Sequence, residues 1–217
     1  VKKVAVLTCL ILILFSSSTW AAEWSFDFLA GAPYNFSTPL RISQEGQEDI
    51  KIKAANYESK PFTDPIYYTW RVGRWTGKQA WELGLIHQKL YLKNEAEDKG
   101  IQNFEISHGY NLVTVNRAWK KKRFIYRLGA GIILAHPNTT INGETLFEEG
   151  GLLNTGYYLA GPTVETGVEK EFPLSESLAI TAEGKFTASY GKVPVAEGTA
   201  EVPNAALHGL LGLDYKF

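Results

Sequence analysis

Asn204-Ala205-Ala206-Leu207-His208-Gly209-Leu210-Leu211-Gly212-Leu213-Asp214-Tyr215-Lys216-Phe217 closes the chain, and its period is two. Successive side chains of a strand point to opposite sides. Leu207, Gly209, Leu211, Leu213, Tyr215 and Phe217 therefore share one face, while His208, Gly212, Asp214 and Lys216 share the other. One face is apolar to the last residue. Such a strand has two homes, the packed core of a soluble sheet or the wall of a barrel that turns its apolar side to lipid.

Upstream the alternation recurs, with strands expected at about 24–30, 66–75, 80–92, 102–116, 124–136, 157–171, 178–190 and 204–217. In the fifth, Tyr126, Leu128, Ala130, Ile132 and Leu134 oppose Arg127, Gly129 and Gly131. In the seventh, Ile180, Ala182, Phe186 and Tyr190 oppose Thr181, Glu183, Lys185, Thr187 and Ser189. The connections alternate long and short: a polar stretch at 33–64 with a protruding hairpin around Glu45-Gly46-Gln47, the turn Thr76-Gly77-Lys78, the acidic loop 94–100, the basic turn Lys120-Lys121-Lys122, a loop at about 137–156, the turn 173–176, and a loop holding Pro194, Gly198 and Pro203. An even number of strands, each near the ~9–11 residues a tilted spanning strand needs, predicts an all-β fold. The fold class is an eight-stranded antiparallel transmembrane β-barrel with long external loops and short periplasmic turns.

A soluble barrel would invert the faces, so the charges decide. Glu82, Glu105, Arg127, Glu165, Glu169, Glu183, Lys185 and Asp214 all oppose the apolar face, and inside a narrow lumen they can pair with one another. A filled lumen is not an open pore.

Lys2-Lys3, an apolar run from Val4 to Phe15 and small residues up to Ala22 read as a secretory signal peptide over residues 1–21, leaving one domain at 22–217. An apolar run this short is an export signal, below the ~20 residues of a spanning helix. Cys9, the sole cysteine, lies within that segment, so the exported chain is expected to hold no disulfide and no cysteine-ligated metal. Without Lys2 and Lys3, 20 basic residues face 23 acidic ones, which excludes nucleic acid as a partner. The expected setting is the outer membrane of a Gram-negative bacterium, with membrane lipid and lipopolysaccharide as surroundings. The aromatic-ended closing strand resembles the signal that barrel-assembly machinery reads, and a monomer is expected.

His208 falls on the charged face, as a structural hydrogen-bonder. By strict alternation His87, His108 and His136 face outward on three consecutive strands, near the long loops. With Lys89 opposite Ile106, His87 would sit opposite His108, and two imidazoles ~5 Å apart can share a divalent transition metal. A three-residue turn at Lys121 to Arg123 would bring His136 level with His108, and tighter pairings would lift it away. The other reading makes these histidines, with Lys89 and Tyr91, a polar rim where the wall meets lipopolysaccharide phosphates. Ser107 adjoins His108 and so points the other way, which argues against a Ser/His nucleophile.

The whole exported chain resembles the broad OmpA-type family of small outer-membrane barrels. Ile86 to Tyr91, Ser107 to Thr114, Gly129-Ala130-Gly131 to His136, and Ala160-Gly161-Pro162 with Gly167-Val168-Glu169 are similar to a subgroup of lipid A oxidase-like proteins. That resemblance implies oxygen-dependent, metal-requiring oxidation of the lipid A glucosamine at the outer leaflet. Two functions are therefore expected side by side: a structural or surface-interaction barrel, and a lipid A-modifying enzyme. In the second, His87, His108 and His136 would hold the metal, Lys89 a phosphate, and Tyr91 would pack on the sugar.

Overall fold

The computed structural model describes residues 23–93, 99–146 and 150–217. The expected signal segment with Cys9 lies outside them. Thirteen strands form a single antiparallel sheet: β1 (Glu23–Asn35), β2 (Thr38–Gln44), β3 (Ile50–Ala55), β4 (Tyr57–Glu58), β5 (Tyr68–Thr76), β6 (Gln79–Leu92), β7 (Ile101–Lys121), β8 (Phe124–Ala135), β9 (Asn138–Ile141), β10 (Glu144–Thr145), β11 (Tyr158–Pro173), β12 (Leu178–Val195) and β13 (Gly198–Lys216).

Eight of these pair in a closed circuit, β1–β5–β6–β7–β8–β11–β12–β13, and β13 returns to β1 from Lys216↔Ser25 to Ala206↔Asn35. At the seam, Trp24 and Phe217 exchange both backbone hydrogen bonds. The turns at one end are tight. Thr76 faces Gln79 and Lys121 faces Phe124, with Gly77 and Lys122 in the left-handed conformation that two-residue hairpin turns require.

At the other end the expected loops are largely strands. Residues 33–64 contain β2 and β3, joined as the anticipated hairpin, and β4, which pairs with the top of β6. The stretch after β8 contains β9 and β10. These pieces exist because β12 and β13 run well past the expected strand ends, and because the loop-side ends of β6, β7 and β13 offer free ladders. β2 completes one of them, pairing with β13 from Glu201↔Arg41 to Gly198↔Gln44.

The circuit's interior is tiered. Among the tight turns, Trp75, Ala80, Ala118 and Ile125 form a small apolar floor. Above it Arg71 reaches Asp27 (2.8 Å), Glu183 (2.6 Å) and Glu169 (2.5 Å), while Arg127 reaches Glu82 (2.8 Å) and Glu169 (3.2 Å). Lys185 pairs with Glu165 at 3.0 Å. Next, His208 bridges Tyr67 (2.8 Å) and Thr187 (2.9 Å), the structural role its face predicts. Higher still, Leu40, Ile42, Leu90, Phe104, Ile106, Val193 and Val202 belong to one large apolar cluster, so the extended strands enclose an ordinary hydrophobic core. The circuit's outer wall is largely apolar: Phe28, Leu128, Val164, Leu211 and Tyr215 are each 46–65% exposed.

Candidate outer-wall site

The three outward histidines arrive where the apolar wall gives way to the extended strands. Strand pairing places Tyr68 beside His87, and their rings stack at 5.1 Å, continuing a stack of Phe28 on Tyr68 at 6.0 Å. The expected partner of His87 was His108; the observed one is Asn111. One step of this three-residue change comes from the loop-side register, where Leu90 and not Lys89 faces Ile106, and the other two from an irregularity. Between Gln88↔Tyr110 and Leu90↔Ile106, β7 spends four steps where β6 spends two, and Gly109 at φ 134° forms the kink. A Cβ at Gly109 would also collide with the Asn111 amide, so glycine is required on both counts.

The kink exposes His108 and turns it toward β8. The two-residue turn at Lys122-Arg123 sets β8 one step from the three-residue register, and the His136 amide donates to the Gly109 carbonyl at 3.0 Å. His108 and His136 rings then lie 4.8 Å apart, and His136 meets the edge of Tyr157 at 5.0 Å. The Tyr157 hydroxyl donates to the His108 carbonyl at 2.7 Å and also engages Asn111. Asn111 Oδ1 lies 2.7 Å from His87 Nδ1. With that oxygen as acceptor, Nδ1 carries the proton and Nε2 its lone pair, and Nε2 is buried without a hydrogen-bond partner.

The structure thus brings His108 and His136 into contact and links His87 to them through Asn111 and Tyr157. No group of three or more His, Cys, Asp or Glu side chains among the described residues is arranged to hold a metal ion. As placed, the imidazoles do not fit a three-histidine centre.

Lys89 and Tyr91 are committed elsewhere. Lys89 is 1% exposed, roofed by the segment before β5, and its ammonium donates to the Thr63 carbonyl at 2.7 Å. Tyr91 carries the Lys60 ammonium 4.1 Å over its ring. Sequence reasoning missed Tyr68, Asn111 and Tyr157. Tyr68 was findable as an outward polar residue, whereas alternation that puts His108 outside puts Asn111 inside, and Tyr157 precedes its strand and is brought in only by the folded loop.

A closed antiparallel circuit with charges inside and an apolar wall outside is the class that fold and site together define. No family model and no curated protein sequence matches the chain. Among solved structures it is similar to the outer membrane protein AlkL in lipid bilayers, at TM-score 0.46 and 13% identity over 93% of each chain. It is also similar to the outer membrane protease OmpT of Escherichia coli, at 0.41 and 9% over 93% of this chain and 99% of that one, and to the attachment invasion locus protein Ail of Yersinia pestis, at 0.39 and 11% over 90% and 97%. Likenesses this distant carry none of the argument below.

Proposed function

We propose that the chain is an integral outer-membrane protein, an eight-stranded transmembrane β-barrel whose extended strands form a surface-interaction module. One observation carries the reading: the faces are inverted. Burying apolar wall contributes roughly 25 cal/mol per Å², and residues such as Leu211 (65% exposed) and Leu128 (59%) obtain that only from lipid. Arg71, Arg127 and Lys185 would face water in a soluble barrel, and here they are at most 3% exposed. Backbone groups of the closed circuit are paired strand to strand, which is what a lipid-exposed sheet demands.

The test is insertion. The exported chain, refolded into phospholipid vesicles, is expected to resist protease over the circuit and to be cut only in its loops and extended strands. A protein that remains in the aqueous fraction and is digested throughout refutes the reading.

A second reading, favoured by the contact of His108 with His136 at the wall's polar edge, is a lipid A-modifying enzyme acting at the outer leaflet. The cluster as placed does not supply three metal ligands, so no step is derived through a metal. Lipid A mass spectra from cells carrying the wild type, the His136→Ala variant or no protein discriminate the two: a mass that differs only with the wild type supports the enzyme, and identical spectra leave the interaction role.

A further inference from the structure

The tight-turn end of the wall is basic on one side, and its cations are fixed on aromatic rings that face outward. Arg117 lies 5.2 Å over the Trp81 ring, and Lys170 lies 5.0 Å from Phe172 and 5.9 Å from Phe124. Cations over aromatic faces are attracted by the ring quadrupole, which here holds them against the wall instead of over the mouth of the lumen. The exposed turn Lys121-Lys122-Arg123 joins β7 to β8 between them, making one continuous patch.

The carboxylates near this patch do not neutralise it. Glu171 is turned inward, 3% exposed, and holds Lys120 and Lys216; Asp214 is likewise buried beside Lys216 at 3.5 Å. The exposed acids of this end among the described residues, Glu23 and Glu176, lie on β1 and on the β11–β12 turn. At the opposite end exposed acids such as Glu45, Glu48, Glu144 and Glu197 are interleaved with exposed cations such as Arg41, Lys51, Lys53 and Lys192, so no comparable one-sign patch forms there.

We infer that this patch binds anionic phospholipid headgroups in the leaflet that faces the tight turns, which rests on the proposal that the wall lies in lipid. Depth selects the occupant. Arg117 and Lys170 sit on the same outward aromatic belt as Trp81 and Phe124, where Trp-type rings meet headgroups, so a phosphodiester is the nearest anion. Basic residues near a membrane surface each favour anionic lipid by about fivefold in binding. A cell-wall polymer, the competing anion, would have to reach them from the water beyond the turns.

The test uses the exported chain in vesicles of phosphatidylcholine containing a minority of phosphatidylglycerol, with spin-labelled analogues of each lipid reporting occupancy of the first lipid shell. Phosphatidylglycerol is expected to be enriched around the protein by roughly fivefold or more. The enrichment should fall in Arg117→Gln/Lys170→Gln and in Lys121→Gln/Lys122→Gln/Arg123→Gln, and should weaken in 1 M salt. The first variant leaves the turn intact, so a folding defect in the second does not block the outcome. Equal occupancy by the two lipids, or enrichment unaltered in both variants, overturns the inference. So does sedimentation with purified cell-wall sacculi that depends on these residues in the absence of lipid selectivity. Failure to insert into either vesicle instead refutes the wall-in-lipid reading.

Discussion

Replacing Arg71 with Met should remove a large part of the protein's stability. Arg71 is 1% exposed, and its guanidinium holds Asp27, Glu169 and Glu183 at 2.5 to 2.8 Å, carboxylates that are themselves at most 4% exposed as side chains. Each charge-assisted hydrogen bond is worth about 1.5–3 kcal/mol, and the cost of desolvating four charges offsets much of that sum. Truncation removes the favourable part and leaves the carboxylates buried. Arg127 compensates only in part, because it already serves Glu82 at 2.8 Å and approaches Asp27 no closer than 3.6 Å. The expected loss is about 3–5 kcal/mol, a large share of the ~5–15 kcal/mol typical of a folded domain. Urea unfolding in detergent micelles, followed by tryptophan fluorescence, measures it. Adding Glu183→Gln to Arg71→Met should cost less than the two single changes together, with a coupling of about 1–3 kcal/mol. A loss below about 1 kcal/mol, the range of an exposed pair, would refute the view that this network holds the interior together.

Phe104→Ala empties part of the apolar core of the extended strands and should cost about 3–5 kcal/mol there, read as new protease cuts in β7 and β9 while the circuit stays protected. Tyr67→Phe leaves His208 Nδ1 without its 2.8 Å partner and should cost about 1–3 kcal/mol in the same urea assay. Gly109→Val should straighten the β7 kink and part the His108 and His136 rings, moving the ring-current-shifted imidazole resonances of His136 toward those of a free side chain. Hydrogen bonds from Ser43 and Arg41 hold the Asp49 carboxyl below the usual aspartate range, so its contribution to the β2–β3 hairpin is present above about pH 3.9 and is lost as pH falls through the lowered value. Amide exchange in residues 38–55 should accelerate only below that point, and acceleration beginning near pH 6 would contradict it.

The sequence by itself determined the faces of most strands, with β7 as the exception: alternation that puts His108 outside also puts Phe104, Ile106, Tyr110 and Leu112 outside, and the structure buries all four in the interior. Period two needs only that side chains alternate along an extended backbone, so Leu207 to Phe217 could be assigned to the outer wall, and Arg127, Glu169 and Glu183 to the interior, before any partner was known. Strand positions in the circuit followed, because each tight turn carries its own local chemistry. The tertiary structure decided what depends on pairing between distant residues. Arg71 was readable as inward, but its choice of Asp27, Glu169 and Glu183 is fixed by three separate strands. His87 was readable as outward, but a loop-side register one step from the expected one and a two-residue surplus at the Gly109 kink together replaced His108 with Asn111 as its neighbour, and His108 lies against His136 instead. Lys89 shares the parity of His87 and was expected in the open; the chain before β5 folds over it and takes its ammonium. Alternation is a local property of the backbone, whereas register and roofing are set by contacts across the sheet. That is why the wall was legible and the site upon it was not.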